Sequence, residues 1–163
     1  DPAMLEVALG SGAAVCAMHM RGTPQTMQQR PAYEDVLAEV CAFLSERAAV
    51  LLAAGLDRSQ VVLDPGVGFG KTPEHNLDLL RRQSELLSLG WPLLIGWSRK
   101  STIGYVTGKP VEQRLAGSLA AALAGVQRGA HVVRVHDVAE TVDALKVWQA
   151  AGMYAVAEEG KND

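Results

Sequence analysis

The stretch VVLDPGVGFGKTPEHNLDLL, Val61–Leu80, carries a strand, a loop and a helix in succession. Val61-Val62-Leu63 is a brief, continuous apolar run, as a strand buried on both faces should be. Asp64-Pro65 and the glycines at 66, 68 and 70 form a loop. Thr72-Pro73-Glu74 reads as a cap, a first-turn proline and an acid favoured by the helix dipole. Leu77, Leu80 and Leu87 continue that helix. Three more apolar runs of the same kind lie along the chain: Ala13–Met18, Leu93–Gly96 and Val132–Val135. Between them, Val36, Val40, Phe43, Leu44 and Leu51 recur at helical spacing up to Gly55. From Pro110, Leu115, Leu119, Leu123 and Val126 share one face, with Gly129 after them. Asp137-Val-Ala-Glu140 has capping-box spacing and leads into Val138, Val142, Leu145 and Trp148, closed by Gly152. Asp1-Pro2, followed by Met4, Leu5, Val7 and Ala8, predicts one helix ahead of the first strand, closed by Gly10 and Gly12.

A helix followed by four strand–helix units predicts an α/β fold with a parallel sheet. Two architectures fit: a doubly wound open sheet, or half of a (β/α)8 TIM-barrel. Periodicity does not separate them. The 163 residues suffice for one domain with a real core. A net charge of −3 gives no global basic field for nucleic acid, though a local anion site remains open. No apolar run is long enough to span a bilayer. Cys16 and Cys41 are isolated within apolar patterns and lack metal-ligand spacing, so the expectation is two reduced core cysteines in a cytoplasmic protein.

The polar residues gather just after each strand. They are Met18-His19-Met20-Arg21, then Asp64 with its glycine loop, then Ser98-Arg99-Lys100-Ser101, then Arg134 and His136-Asp137. In parallel α/β folds the strand C-termini share one face, where ligands bind. Asp64, Lys100, Arg134 and His136 are therefore expected to converge. The Gly-Lys-Thr at 70–72 suggests a phosphate loop, but that pattern needs glycine where Pro65 stands. Asp64 would also repel a polyphosphate, whereas a carboxylate can accept two parallel N–H bonds from a donor-rich heterocycle. The plainer reading is a tight turn capped by Asp64. Ser98-Arg99-Lys100-Ser101 suits an anion or a ring carbonyl, or is a solvated charge pair. Arg134 sits in an apolar run, so burial there demands a partner. His136 reads as a phosphate donor, a metal ligand, a proton carrier or a supporting residue. Asp137 reads as a helix cap, and Met18 as core or pocket floor.

MHMRGTP (18–24), LDPGVGFGKT (63–72), IGWSRKSTIG (95–104) and RVHDV (134–138), in this order and spacing, closely resemble dihydropteroate synthase. The resemblance runs from about Asp1 to Trp148 and implies the C-terminal half of a pterin-binding (β/α)8 barrel. The expected organisation is that half-barrel over residues 1–152 with a polar tail over 153–163, and with the family's N-terminal half missing. The implied activity joins 6-hydroxymethyl-7,8-dihydropterin diphosphate to p-aminobenzoate in folate biosynthesis, giving 7,8-dihydropteroate and diphosphate. By resemblance, Asp64 binds the pterin's amino and ring N–H groups, and Lys100 its carbonyl. Arg134 lies against the pterin and assists the leaving diphosphate, which His136 holds. Ser98 and the Lys100 stem contact p-aminobenzoate, and Met18 and Phe69 line the pterin pocket. Lys100, Arg134 and His136 are thus the implied catalytic set. Mg2+ is implied as a cofactor, with its ligand in the N-terminal half and none in this chain. The resemblance also implies sulfonamide inhibition and a homodimer in full-length members. Lys71 and Thr72 then become the ordinary start of a helix. A related pterin-binding methyltransferase and a non-catalytic half-barrel scaffold are the alternatives.

Overall fold

A computed structural model describes residues 3–153; the predicted Asp1 cap and nearly all of the predicted tail lie outside the described residues. Among the described residues four parallel strands are present: β1 (Val15–Met18), β2 (Val61–Asp64), β3 (Leu94–Ile95) and β4 (Val132–Val133). The described residues also form six α-helices, of which two, α4 and α5, lie between β3 and β4: α1 (Ala3–Ser11), α2 (Val36–Ala53), α3 (Pro73–Arg81), α4 (Ser101–Thr107), α5 (Leu115–Gln127) and α6 (Val138–Ala150).

The strand order decides between the two architectures. β1 pairs with β2 in register Val15↔Val61 to Met18↔Asp64. β2 meets β3 through the Leu63↔Leu93 bridge and the bond from Leu63 N–H to the Pro92 carbonyl at 2.9 Å. β3 pairs with β4, Leu94↔Val132 and Ile95↔Val133. The order is therefore β1-β2-β3-β4, without the reversal that marks a doubly wound sheet. Successive staves in sequence order are the pattern of a (β/α)8 barrel. The helices follow the same order, with α2 against α3, α3 against α4, α4 against α5 and α5 against α6.

One hydrophobic layer lies between sheet and helices. Val61 and Leu63 of β2 and Ile95 of β3 meet Val36, Val40 and Leu44 of α2 and Leu79 of α3, all buried. Asp35 caps α2, accepting from the Leu37 and Ala38 N–H groups. Thr72 caps α3 in a capping box whose third residue is His75.

Several expectations need correction. The strands are not buried on both faces: Cys16 is exposed and its register partner Val62 half-buried, while Val132 is 44% exposed. Among the described residues, helices cover one face only, and strand side chains alternate between faces. Cys41 is half-buried rather than core. α3 ends at Arg81, so Leu87 belongs to a separate 3-10 turn, Gln83–Leu89. α4 was not anticipated. The inner face of α5 is Ser118, Ala122 and Gly125, not its leucines. A Cβ on Gly125 would come within 2.0 Å of Ile95 Cδ1, so close helix–sheet approach selects small residues there.

Candidate functional site

The C-terminal ends of the strands bring Met18, Asp64, Ser98, Lys100, Arg134 and His136 to one end of the sheet, as parallel β/α connectivity requires. Asp64 is the last residue of β2 and only 1% exposed. Its Oδ1 accepts from Gly66 N–H at 2.7 Å, and its Oδ2 faces the Arg134 guanidinium at 3.3 Å. Burial pushes its carboxyl above the usual range, opposed by the Gly66 N–H, Arg134, Lys100 and Lys71. A buried carboxylate held on one oxygen, with its other oxygen facing a half-exposed guanidinium, is a ready acceptor for a donor-rich edge.

The loop after Asp64 owes its path to Gly66. That residue has φ +67°, and a Cβ on it would stand 1.8 Å from the His19 carbonyl oxygen. Only glycine lets β2's exit pass this close to β1's exit. Two side chains then tie the loop down. Lys71 donates to the Gly66 and Phe69 carbonyls at 3.0 and 3.1 Å. Asn76 accepts from Gly68 N–H at 2.9 Å and donates to Thr102 Oγ1 at 2.9 Å, linking the loop to α4.

Lys100 stands at the N-terminus of α4, half-buried, its Nζ 4.0 Å from the centroid of the Phe69 ring. Burial and Arg134 lower its pKa, against the pull of Asp64. Ser98 is buried; its Oγ lies 2.9 Å from His136 Nδ1 and accepts from His136 N–H at 3.2 Å. The exits of β3 and β4 are thereby joined. Gly96 makes room for Arg134, since a Cβ there would reach 2.9 Å from Nη2. Met18 and Phe69 are both half-buried, and Met18 Cγ lies 3.4 Å from the Cβ position of Gly66. One carboxylate surrounded by Arg134, Lys100 and Lys71 leaves the site net cationic, suited to an anion beside a ring.

Three readings change. Arg134 is not buried, its side chain being 56% exposed, because it leaves the sheet at β4, whose one paired neighbour among the described residues is β3. It nevertheless has an ion-pair partner, Asp64. Asp137 occupies the N-cap of α6 but makes no side-chain cap bond; its carboxylate pairs with Arg99 instead. Arg99 adopts φ +59° and donates its N–H to Ser118 Oγ, which shapes the turn presenting Lys100. Lys71 is no ordinary helix start: it is 3% exposed and bonds His19 Nδ1 at 2.8 Å. Sequence reasoning also passed over Asn76. A lysine and an asparagine flanking a threonine cap and a first-turn proline look like solvated helix-start residues, and only their burial distinguishes them.

The sequence profile described as pterin binding enzyme matches residues 1–136. The chain belongs to this family. It is 51% identical to the dihydropteroate synthase of Haemophilus influenzae over 150 residues, covering 92% of this chain and 54% of that protein. The crystal structure of dihydropteroate synthase from Stenotrophomonas maltophilia superposes with a TM-score of 0.88 at 48% identity, over 93% of this chain and 58% of the other. The Thermus thermophilus enzyme, solved in complex with 4-aminobenzoate, superposes with a TM-score of 0.87 at 49% identity, over 92% and 61%. The chain spans about half the length of the curated relatives it matches.

Proposed function

We propose that this chain carries the pterin-binding and p-aminobenzoate-binding half of a dihydropteroate synthase site in folate biosynthesis. The observation that carries the reading is Asp64, a buried carboxylate at a strand end, ringed by Arg134, Lys100 and Lys71. The relatives' ligands support it: Thermus thermophilus synthase was solved with 4-aminobenzoate and with 6HMPPP, and the Yersinia pestis enzyme in a sulfonamide drug complex.

In this reading Asp64 accepts from the pterin's amino and ring N–H groups, while Lys100 donates to its carbonyl. Phe69 and Met18 flank the ring. Arg134 and His136 receive the diphosphate, and Ser98 with the Lys100 stem receives p-aminobenzoate. The arylamine nitrogen attacks the exocyclic methylene carbon, the bond from that carbon to the diphosphate oxygen breaks, and the nitrogen then loses a proton. Diphosphate is a good leaving group, so the protein's work is positioning two rings and neutralising the departing charge. Among the described residues no group of three or more His, Cys, Asp or Glu could hold a metal. In this reading the Mg2+ ligand belongs to the part of the relatives' length that this chain does not span. A cytoplasmic, homodimeric full-length protein belongs to the same proposal. Apolar surface at Val138, Val142 and Val147 of α6 is compatible with a partner face.

The test is dihydropteroate formation from the two substrates by the full-length parent and its Lys100→Ala variant, with pterin affinity measured beside it; the isolated chain is expected to show little turnover. A loss of affinity of at least tenfold in Lys100→Ala is expected. Unchanged affinity there and in Asp64→Ala refutes the site.

A further inference from the structure

The Asp64 loop ends in a lysine to which the proposed reaction gives no role. Lys71 is 3% exposed, and its Nζ meets three acceptors: His19 Nδ1 at 2.8 Å, the Gly66 carbonyl at 3.0 Å and the Phe69 carbonyl at 3.1 Å. Three acceptors match the three N–H donors of an ammonium. Burying an amine is costly, and an apolar side chain of the same length would fill the space without that cost. What the lysine adds is a common anchor for two loop peptides and the ring at the end of β1.

The anchor reaches the ligand-facing groups by short routes. Gly66 is held at both ends of its backbone, its N–H on Asp64 Oδ1 and its carbonyl on Lys71. Turning that residue would turn the Asp64 carboxylate. Phe69 is held by its carbonyl, and its ring lies beneath Lys100 Nζ. His19, the third partner, donates its backbone N–H to the Asp64 carbonyl at 3.0 Å. Its ring packs edge-on against Phe43 with centroids 5.0 Å apart.

We infer that Lys71 is a positioning residue for the pterin-recognition loop: it clamps the Gly66 and Phe69 peptides to His19, and so sets the direction of the Asp64 carboxylate and the place of the Phe69 ring. The ligand's identity rests on the proposed function; the clamp itself does not. The charged groups facing Lys71 are Asp64 from β2 and Lys100 from the start of α4, with His19 from the end of β1 and Arg21 beyond it. Burial brings Lys71 down to about 7, against the attraction of Asp64. Burial and Lys71 bring His19 down to about 4, so its ring stays neutral near pH 7 and can accept at Nδ1 from Lys71.

The experiment compares wild type with Lys71→Met by amide NMR of the ligand-free chain and by titration with 6-hydroxymethylpterin. The Gly66, Gly68 and Phe69 amides are expected to shift or broaden while those of α5 stay in place, and pterin affinity to fall at least tenfold. Loop amides that superimpose in the two proteins overturn the positioning role, whatever the pterin result. A wild-type chain that binds no pterin counts against the functional reading instead, and the loop spectra still decide the clamp. Should Lys71→Met fail to fold, His19→Phe decides, because it removes one of the three acceptors of the clamp: Gly66 and Phe69 amides that shift or broaden in it support the clamp. Loop amides in His19→Phe that superimpose on those of wild type overturn it.

Discussion

Replacing Gly66 by alanine tests the geometry that delivers Asp64. Gly66 has φ +67°, and Gly108, at the end of α4, has φ +68°. An alanine at either position meets the same backbone penalty, roughly 1–2 kcal/mol for a left-handed non-glycine residue. The surroundings differ. Nothing lies within 4 Å of a Cβ on Gly108, whereas one on Gly66 lies 1.8 Å from the His19 carbonyl oxygen and 2.9 Å from its carbon. Backbone atoms cannot swing aside as a flexible side chain can, so the exits of β1 and β2 must separate. That separation strains three bonds: His19 N–H to the Asp64 carbonyl, Gly66 N–H to Asp64 Oδ1, and Lys71 to the Gly66 carbonyl. At about 1 kcal/mol each, their loss adds about 3 kcal/mol to the shared penalty. For a chain of this size that corresponds to a Tm roughly 6–12 °C below that of Gly108→Ala. Calorimetry and urea unfolding of the two variants and wild type make the comparison. Equal destabilisation of Gly66→Ala and Gly108→Ala would refute the close-approach argument.

Gly96→Ala should separate binding from stability. Its Cβ meets the exposed end of Arg134, a flexible side chain, so unfolding free energy should change by less than about 1 kcal/mol. Affinity for a pterin bearing diphosphate should fall while affinity for the pterin alone holds. The pH dependence of stability carries the signature of Lys71. Its folded-state pKa is lowered from 10.5 to about 7, so its contribution is present above pH 10.5 and is lost as pH falls through about 7. Urea unfolding between pH 7 and 10 should show wild type gaining stability with rising pH, at up to ~1.4 kcal/mol per unit, and Lys71→Met lacking that slope. Asp64 has the opposite sign: its raised pKa gives stability present below its ordinary 3.8 and lost as pH rises through the folded value. Pterin affinity should run the other way, falling as acid protonates Asp64, and isothermal titration between pH 4 and 8 checks it.

The strands and their order of use were legible because Val61–Leu63 and Leu93–Ile95 are uninterrupted apolar runs followed at once by polar residues. Barrel and open sheet were not separable, since the distinction lies in which strands pair, and pairing leaves no mark on a single strand's periodicity. Helix α4 escaped because Ser101-Thr-Ile-Gly-Tyr-Val-Thr107 mixes β-branched residues and a glycine, a poor helix former by propensity. Close packing misled the reading of α5: the residues that touch the sheet are Ser118, Ala122 and Gly125, whose smallness counts for more than the hydropathy of the leucines beside them. Within the site, Asp64 was legible because a carboxylate directly after a strand conflicts with a phosphate loop. Lys71 was not, because its partners are two backbone carbonyls of its own loop and a ring far away in sequence.

The central claim is that Asp64 reads the donor edge of a pterin. Isothermal titration of 6-hydroxymethylpterin into wild type and Asp64→Asn at pH 7.5 tests it most directly. Asparagine keeps the size of the side chain and one acceptor oxygen but replaces the charged oxygen pair by a carbonyl and an amide donor. Loss of a charge-assisted bond of about 1.5–3 kcal/mol predicts affinity weakened roughly 10- to 100-fold, with the fold retained by circular dichroism. Saturable wild-type binding that Asp64→Asn leaves unchanged would contradict the account.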